Sequence, residues 1–228
     1  MISLRFLILL FSYNRPTLIQ EALRSVANST HQDWHLVLID DASTAFSPPL
    51  TLMDIFSEDQ IAKSSFHLIE DTKEDKLARK GSWIGREAND AMLTIPSDVC
   101  VFLCDDDKLR PTYLEELNKY YTENPEVMYS YSHIHTFGEG ADGSSWLNKT
   151  DTLDPFCQVD ASQVTWRTSC ITEGGVRFPF PKTSCLDSDL FGQLCEKYGL
   201  CPFNGITGQE KFIHLNQLGN HSSLDRID

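Results

Sequence analysis

Short apolar runs alternate with amphipathic stretches along this chain, the rhythm of folds in which strands and helices take turns. Leu4 to Phe11 is apolar but for Arg5 and predicts a buried first strand. A helix follows from Pro16, a residue favoured in a first helical turn, with Leu18, Ile19, Ala22, Leu23, Val26 and Ala27 on one face. His35 to Ile39 is the second strand, closed by Asp40 and Asp41, and Phe66 to Ile69 is a third. After the polar stretch Asp71 to Lys80, residues Ile84, Ala88, Ala91, Met92 and Ile95 recur at helical spacing. They lead into Val99 to Cys104, apolar on both faces and therefore a central strand, which runs straight into Asp105, Asp106 and Asp107. Beyond Pro111 a helix carries Leu114, Leu117 and Tyr121 and stops near Asn124-Pro125, and Val127 to Ile134 reads as another strand. Phe137 to Asp154, rich in Gly, Ser and Asp, reads as a loop or hairpin; a last helix runs from Asp187 to Tyr198 and is closed by Gly199. The pattern predicts one α/β domain over residues 1–228: a mostly parallel half-sheet to about residue 130, and a smaller mixed part beyond it.

Composition narrows the function. The chain has 228 residues, 41% hydrophobic and 23% charged, which suits one globular domain with a sizeable core. Against 33 Asp plus Glu stand 19 Lys plus Arg, a net charge of -14 that repels polyphosphate, so nucleic acid and anionic lipid surfaces are excluded as partners. Seven cysteines, an odd number without a C-x-x-C pair, form neither a zinc site nor a closed disulfide set and point to a reducing, cytoplasmic setting. The opening MISLRFLILLF lacks a following small-residue cleavage site, and it falls short of the about 20 residues that span a bilayer. No membrane span is expected, and the sequons at Asn28, Asn148 and Asn220 read as chance. The first glycine is Gly81, so neither early strand is followed by a glycine-rich phosphate cradle. That excludes dinucleotide-binding and P-loop folds and counts against sugar nucleotidyltransferases. Any bound phosphate must be neutralised otherwise, most simply by a metal ion on carboxylates.

The sequence supplies those carboxylates. Asp105, Asp106 and Asp107 leave a buried strand side by side and repel one another unless a cation is present. Hard oxygen donors suit Mg²⁺ or Mn²⁺, and the carboxyl edge of an open α/β sheet is where ligands collect. The competing interpretation is a solvated acidic turn before the helix at Pro111. Asp40-Asp41 ends a strand that faces the same crevice, where a carboxylate can accept from a nucleobase N–H or a ribose hydroxyl; an Asx turn is the alternative.

Four motifs in register carry a resemblance: Tyr13-Asn14-Arg15-Pro16 after strand one, Asp40-Asp41-Ala42-Ser43 after strand two, Asn89 in the middle helix, and Phe102-Leu103-Cys104-Asp105-Asp106-Asp107 with Pro111 beyond. Over roughly the first 120 residues their order and spacing resemble glycosyltransferase family 2, inverting enzymes of the GT-A fold, a Rossmann-like sheet flanked by helices. The resemblance implies a nucleotide-sugar-binding half to about residue 130 and an acceptor-side half beyond. It places Asp41 on the uracil ring, Tyr13, Asn14 and Arg15 near the base, and Asn89 and Asp105 with the donor. The metal-binding Asp of the family's D-x-D motif falls on Asp106, with Asp107 beside it. The first Asp of a strict D-x-D falls on Cys104, a departure, and Asp105 takes its ribose or metal-water role. Weaker matches follow. Gln163 to Trp166 resembles an acceptor-side segment, Leu186-Asp187-Ser188-Asp189 resembles the motif of the catalytic base, and His214 stands where the family draws a histidine to the metal or diphosphate. Asp187 is the expected base, with Asp189 its rival.

The implied reaction is transfer of a sugar from a UDP-sugar, or a dTDP-sugar, to a hydroxyl of a glycan or other acceptor, with inversion and a divalent metal. Arg79, Lys80 or Arg86 would help to invert the local field for an anionic donor. Two rival classes remain: a degenerate nucleotide-sugar-binding module, which needs no base, and a metal-dependent phosphohydrolase, for which the first strand lacks the D-x-D of haloacid-type enzymes. The sequence does not speak to oligomeric state.

Overall fold

The computed structural model describes residues 3–70, 72, 74–75, 83–137, 149–156, 158–180 and 186–212. The parallel half comprises β1 (Phe6–Ser12), α1 (Leu18–Ala27), β2 (Trp34–Asp40), α2 (Pro48–Ile55), α3 (Glu58–Ile61), β3 (Ser64–Leu68), α4 (Ile84–Thr94) and β4 (Val99–Cys104). The mixed half comprises β5 (Asp107–Leu109), α5 (Tyr113–Glu123), β6 (Tyr129–Phe137), β7 (Val164–Arg167) entered from a 3-10 turn (Ala161–Gln163), α6 (Ser169–Thr172), α7 (Leu186–Tyr198) and β8 (Phe203–Phe212). Among the described residues these strands make one sheet in the order β3-β2-β1-β4-β7-β6-β8-β5. The first four are parallel, β7 runs antiparallel to β4 and β6, β8 runs parallel to β6, and β5 lies antiparallel to β8 at the edge.

The apolar pattern explains the layering. Every residue of β1 is buried, and its side chains alternate between two cores as the strand period requires. Leu7, Leu9 and Phe11 join Ala88, Ala91 and Met92 of α4 and Leu190, Phe191 and Leu194 of α7 on one face. Phe6, Ile8 and Leu10 join Ile19, Leu23 and Val26 of α1 and Leu114, Leu117 and Tyr121 of α5 on the other. A sheet covered on both faces is what continuous apolar strands predict. None of the described helices is long and apolar enough to cross a membrane.

The strand expected at Val99–Cys104 appears with those bounds, and the other elements expected in the first half appear within two residues or so of their expected ends. Gly199 closes α7 at φ 84°, the left-handed region that glycine enters freely. Six elements, α2, α3, β5, β7, α6 and β8, arise where none was expected. Helix α2 starts on Pro48, and α3 is fixed by a capping box between Ser57 and Gln60. Strand β5 is three residues long, and β8 carries two glycines among polar residues, so neither shows an apolar signature.

Gly208 explains one of those glycines. A Cβ there would meet the ring of Tyr113, 2.2 Å away, and that ring is wholly buried with its hydroxyl 3.1 Å from Ser132 Oγ. Gly208→Ala should therefore overpack the junction of α5 and β8 and lower stability by about 1–3 kcal/mol. Its urea midpoint, compared with that of the parent chain, checks this.

Candidate active site

Strands β1, β2 and β4 end level with one another: Ser12 pairs with Asp40, and Phe11 with Cys104. The segments that begin at Tyr13, Asp41 and Asp105 therefore leave the same carboxyl edge. The first two are tied together. The Asp41 N–H donates to the Ser12 carbonyl (3.0 Å), the Asn14 N–H donates to Ser43 Oγ (2.8 Å), and Asn14 Oδ1 accepts from the N–H groups of Thr44 (2.8 Å) and Ala45 (3.0 Å). Asn14 at φ 49° and Ala42 at φ 64° both lie in the left-handed region, which costs an alanine more than an asparagine. Asp40 accepts from the Ser43 N–H, the Asx-type contact considered for this pair, and the next residue, Asp41, is buried.

The acidic triplet is not a solvated turn: Asp105, Asp106 and Asp107 are 4%, 6% and 0% exposed. Two cations hold it. Arg15 Nη1 lies 2.7 Å from Asp105 Oδ1 and 2.7 Å from Asp106 Oδ2, and Asp105 Oδ2 accepts the Tyr13 N–H at 2.9 Å. Burial pushes the Asp105 carboxyl up to about 6, against the pull of Arg15. Burial also works against the Arg15 charge, but Asp105 and Asp106 outweigh it and its pKa rises. Asp107 belongs to β5, where the antiparallel register sets it opposite Lys211 of β8. Lys211 Nζ lies 3.4 Å from Asp107 Oδ2 and 3.2 Å from Asp160 Oδ1, and these two carboxylates keep it protonated in spite of burial. Asp160 also accepts from the Ser162 N–H and hydroxyl, and its carboxyl falls below the ordinary value although burial opposes this. Asp107 is driven upward, by burial first and then by Asp106 and Asp160.

Asp187 lies in the first turn of α7. Burial raises its carboxyl, the negative Asp160 adds to the rise, and Lys211 and nearby backbone N–H groups oppose it. Asp187 thus stands in the field of the Asp160–Lys211 pair, whereas Asp189, two residues on, points roughly 200° further round the helix. The Asn89 amide is occupied on both sides: it donates to the Phe178 carbonyl and accepts the Phe178 N–H, each at 2.9 Å. Arg86 lies over Trp83 and 3.8 Å from Asp90, about half exposed. Arg79, Lys80 and His214 lie outside the described residues. Asp160 and Lys211 escaped the sequence reading. Asp160-x-x-Gln163 is a capping box legible in the chain, but nothing local marks Lys211, whose burial comes from pairing with a strand about 100 residues away.

The donor set bears on a metal. Cys104 Sγ and carboxylate oxygens of Asp106 and Asp107 lie within 4.8 Å of one another. Burial drives the Cys104 thiol well up, so it stays neutral, and Asp107 faces Lys211. The carboxylate offered to a hard cation is then Asp106, which Arg15 Nη1 also contacts at 2.7 Å. This fits an ion held as Mg²⁺ commonly is, by one or two carboxylates with the other positions filled by water and substrate phosphate.

Replacing Lys211 tests this electrostatic account. Lys211→Met leaves Asp107 and Asp160 buried without a counter-charge and should cost about 3–5 kcal/mol. Unpaired, both carboxyls would titrate above their unfolded values, so the loss should be greatest near pH 8 and shrink as the pH falls. Urea unfolding of the variant and parent at several pH values checks both statements.

The sequence model for glycosyl transferase family 2 matches residues 8–173, most of the chain, and the chain belongs to that family. Protein CgeD of Bacillus subtilis (strain 168) is 28% identical over 170 residues, which are 72% of this chain and 38% of CgeD. The crystal structure of S. aureus TarS 1-349 in complex with UDP-GlcNAc matches 98% of this chain and 61% of its own with a TM-score of 0.70 at 16% identity. The UDP complex of the same protein matches 92% of this chain and 60% of its own, with a TM-score of 0.64 at 16% identity. The chain thus spans 38% of CgeD and about three fifths of these two TarS chains. These likenesses fix the architecture as the GT-A fold.

Proposed function

We propose that this member of glycosyl transferase family 2 transfers a sugar from a UDP-sugar to an acceptor hydroxyl, with inversion and with a divalent metal, Mn²⁺ or Mg²⁺, held through Asp106. The observation that carries the proposal is that Asp41, Asp105, Asp106 and the Arg15 guanidinium meet at the carboxyl edge of the sheet, while Asp187 stands in the field of the Asp160–Lys211 pair at the same acidic centre. Crystals of TarS hold UDP-GlcNAc and UDP, which supports a uridine donor ahead of a dTDP-sugar. Domain unity over residues 1–228 belongs to the same proposal, supported by one sheet that runs through both halves. A cytoplasmic setting does as well, and the unpaired Cys100, Cys104, Cys170, Cys195 and Cys201 fit it.

The chemistry follows from the carboxylates. Asp41 accepts from the base, and Tyr13 with the Asn14 loop lines that side. Asp187 takes the proton of the acceptor hydroxyl as its oxygen forms a bond to the anomeric carbon; the bond to the diphosphate oxygen breaks on the opposite face, which inverts the centre. A cation bound through Asp106 would supply Lewis-acid stabilisation of the leaving diphosphate. Asp105, held by Arg15 and the Tyr13 N–H, takes the ribose hydroxyl in this proposal. His214 and Arg79 remain candidates for the diphosphate.

Melting temperature with UDP, in Mn²⁺ and in chelator, tests donor and metal together, because a ligand of the native state stabilises it. A metal-dependent rise is expected, and Asp106→Asn should abolish it. No rise with UDP, dTDP, GDP, CMP or ADP would overturn the proposal.

Asp187→Asn should leave the UDP-dependent rise near the parent value, while transfer falls by about 10²–10⁴. If Asp189→Asn causes that loss instead, the base is two residues on. Asp187 must be ionised to act and its carboxyl is raised, so the acid limb of kcat/KM should lie above the ordinary aspartate range. Activity is lost as the pH falls through the limb. Asp160→Asn removes a negative neighbour and should move the limb to lower pH.

A further inference from the structure

Arg15 occupies the place at Asp106 that the proposed function gives to a cation. A single nitrogen, Nη1, lies 2.7 Å from both Asp105 Oδ1 and Asp106 Oδ2, so one positive charge serves two buried carboxylates. Lys211, the other cation at this centre among the described residues, is engaged by Asp107 and Asp160. Arginine does not lose its proton at any working pH, so the contact cannot be relieved by titration. A divalent ion on Asp106 would lie next to the guanidinium, and like charges that close repel in a site shielded from water.

A diphosphate changes the balance. Its oxygens offer the guanidinium a planar, two-pronged partner, the geometry for which arginine is suited. Arg15 is the right group to turn: its side chain is 22% exposed, against 6% and 4% for the two carboxylates, and it follows Asn14, which anchors the loop through Ser43, Thr44 and Ala45. If Arg15 swings from Asp106 to an arriving diphosphate while a cation takes that carboxylate, Asp106 and the diphosphate each have a cationic partner and Asp105 keeps the Tyr13 N–H.

We propose that Arg15 is the resident counter-ion of Asp106 and couples cation binding to nucleotide binding, holding the carboxylate closed to divalent ions until a nucleoside diphosphate draws the guanidinium away. The inference rests on Asp106 as the cation ligand. It makes Arg15 a positioning residue, and linkage requires the coupling to work in both directions: nucleotide raises cation affinity as much as cation raises nucleotide affinity.

The test is direct binding of Mn²⁺ to the full chain, read from the electron paramagnetic resonance signal of the free ion, with and without UDP. The parent should bind Mn²⁺ about tenfold or more tighter when UDP is present, within the range usual for coupled sites. Arg15→Gln should tighten Mn²⁺ binding without UDP by about the same factor and shrink the effect of UDP. Arg15→Lys keeps the charge but loses the planar guanidinium that suits a diphosphate, so it should fall between the two; it serves alone if Arg15→Gln does not fold. Mn²⁺ affinity without UDP that is unchanged or weaker in the variant that folds overturns the inference, provided Asp106→Asn abolishes binding. If Asp106→Asn leaves Mn²⁺ binding intact, the assignment of the cation ligand fails first and the inference falls with it.

Discussion

Four carboxylates are gathered at the end of one sheet, and the balance of charge among them is the constraint on which the rest of the structure depends. Asp105, Asp106 and Asp107 are buried, Asp160 stands beside them, and Arg15 and Lys211 supply the counter-charge. A buried carboxylate without a partner is costly enough to neutralise itself or unfold its surroundings. Both cations come from far along the chain: Arg15 is 90 residues before Asp105, and Lys211 is 104 residues after Asp107. The loop after β1 and the strand β8 must therefore both be in place before the centre can exclude water, which ties the chemistry of the site to the completed fold.

What was legible in the sequence is what local pattern determines. Val99–Cys104 is apolar on both faces and ends in three acids, so strand, edge and candidate ligands could all be read from nine residues. The loop Tyr13-Asn14-Arg15 was legible as a motif, but the bridge from Arg15 to two carboxylates was not, because a contact across 90 residues leaves no periodic trace. Lys211 was illegible for the same reason, and β8 around it lacks the clean alternation of a half-buried strand. Helix α3 and the 3-10 turn before β7 carried a signal, the Ser57–Gln60 and Asp160–Gln163 capping boxes, which lies in side-chain chemistry rather than in periodicity.

The two halves contribute differently. The parallel half sets a rigid edge: β1, β2 and β4 end in register, so Asp41 and Asp105 follow from backbone geometry. The mixed half brings Asp187, and its position depends on packing. Gly85 of α4 lets the Pro179 carbonyl and Leu186 approach, since a Cβ there would lie 2.7 Å from that oxygen and 3.4 Å from Leu186 Cδ2. Asn89, one turn further along, grips the Phe178 N–H and carbonyl. Helix α4 thereby contacts both the segment around Phe178 and Pro179 and the first residue of α7.

A protein with a net charge of -14 is a poor host for an anionic donor unless the field is inverted locally. The described residues do part of this. Arg15 and Lys211 together bring two positive charges to a centre with four acids. In the proposed function a divalent cation on Asp106 would bring the two further positive charges that balance the four acids. On that proposal overall acidity bears on selectivity: polyanions without a matching diphosphate would meet a repulsive surface, while a nucleoside diphosphate arriving with a cation would meet a site whose charges it completes.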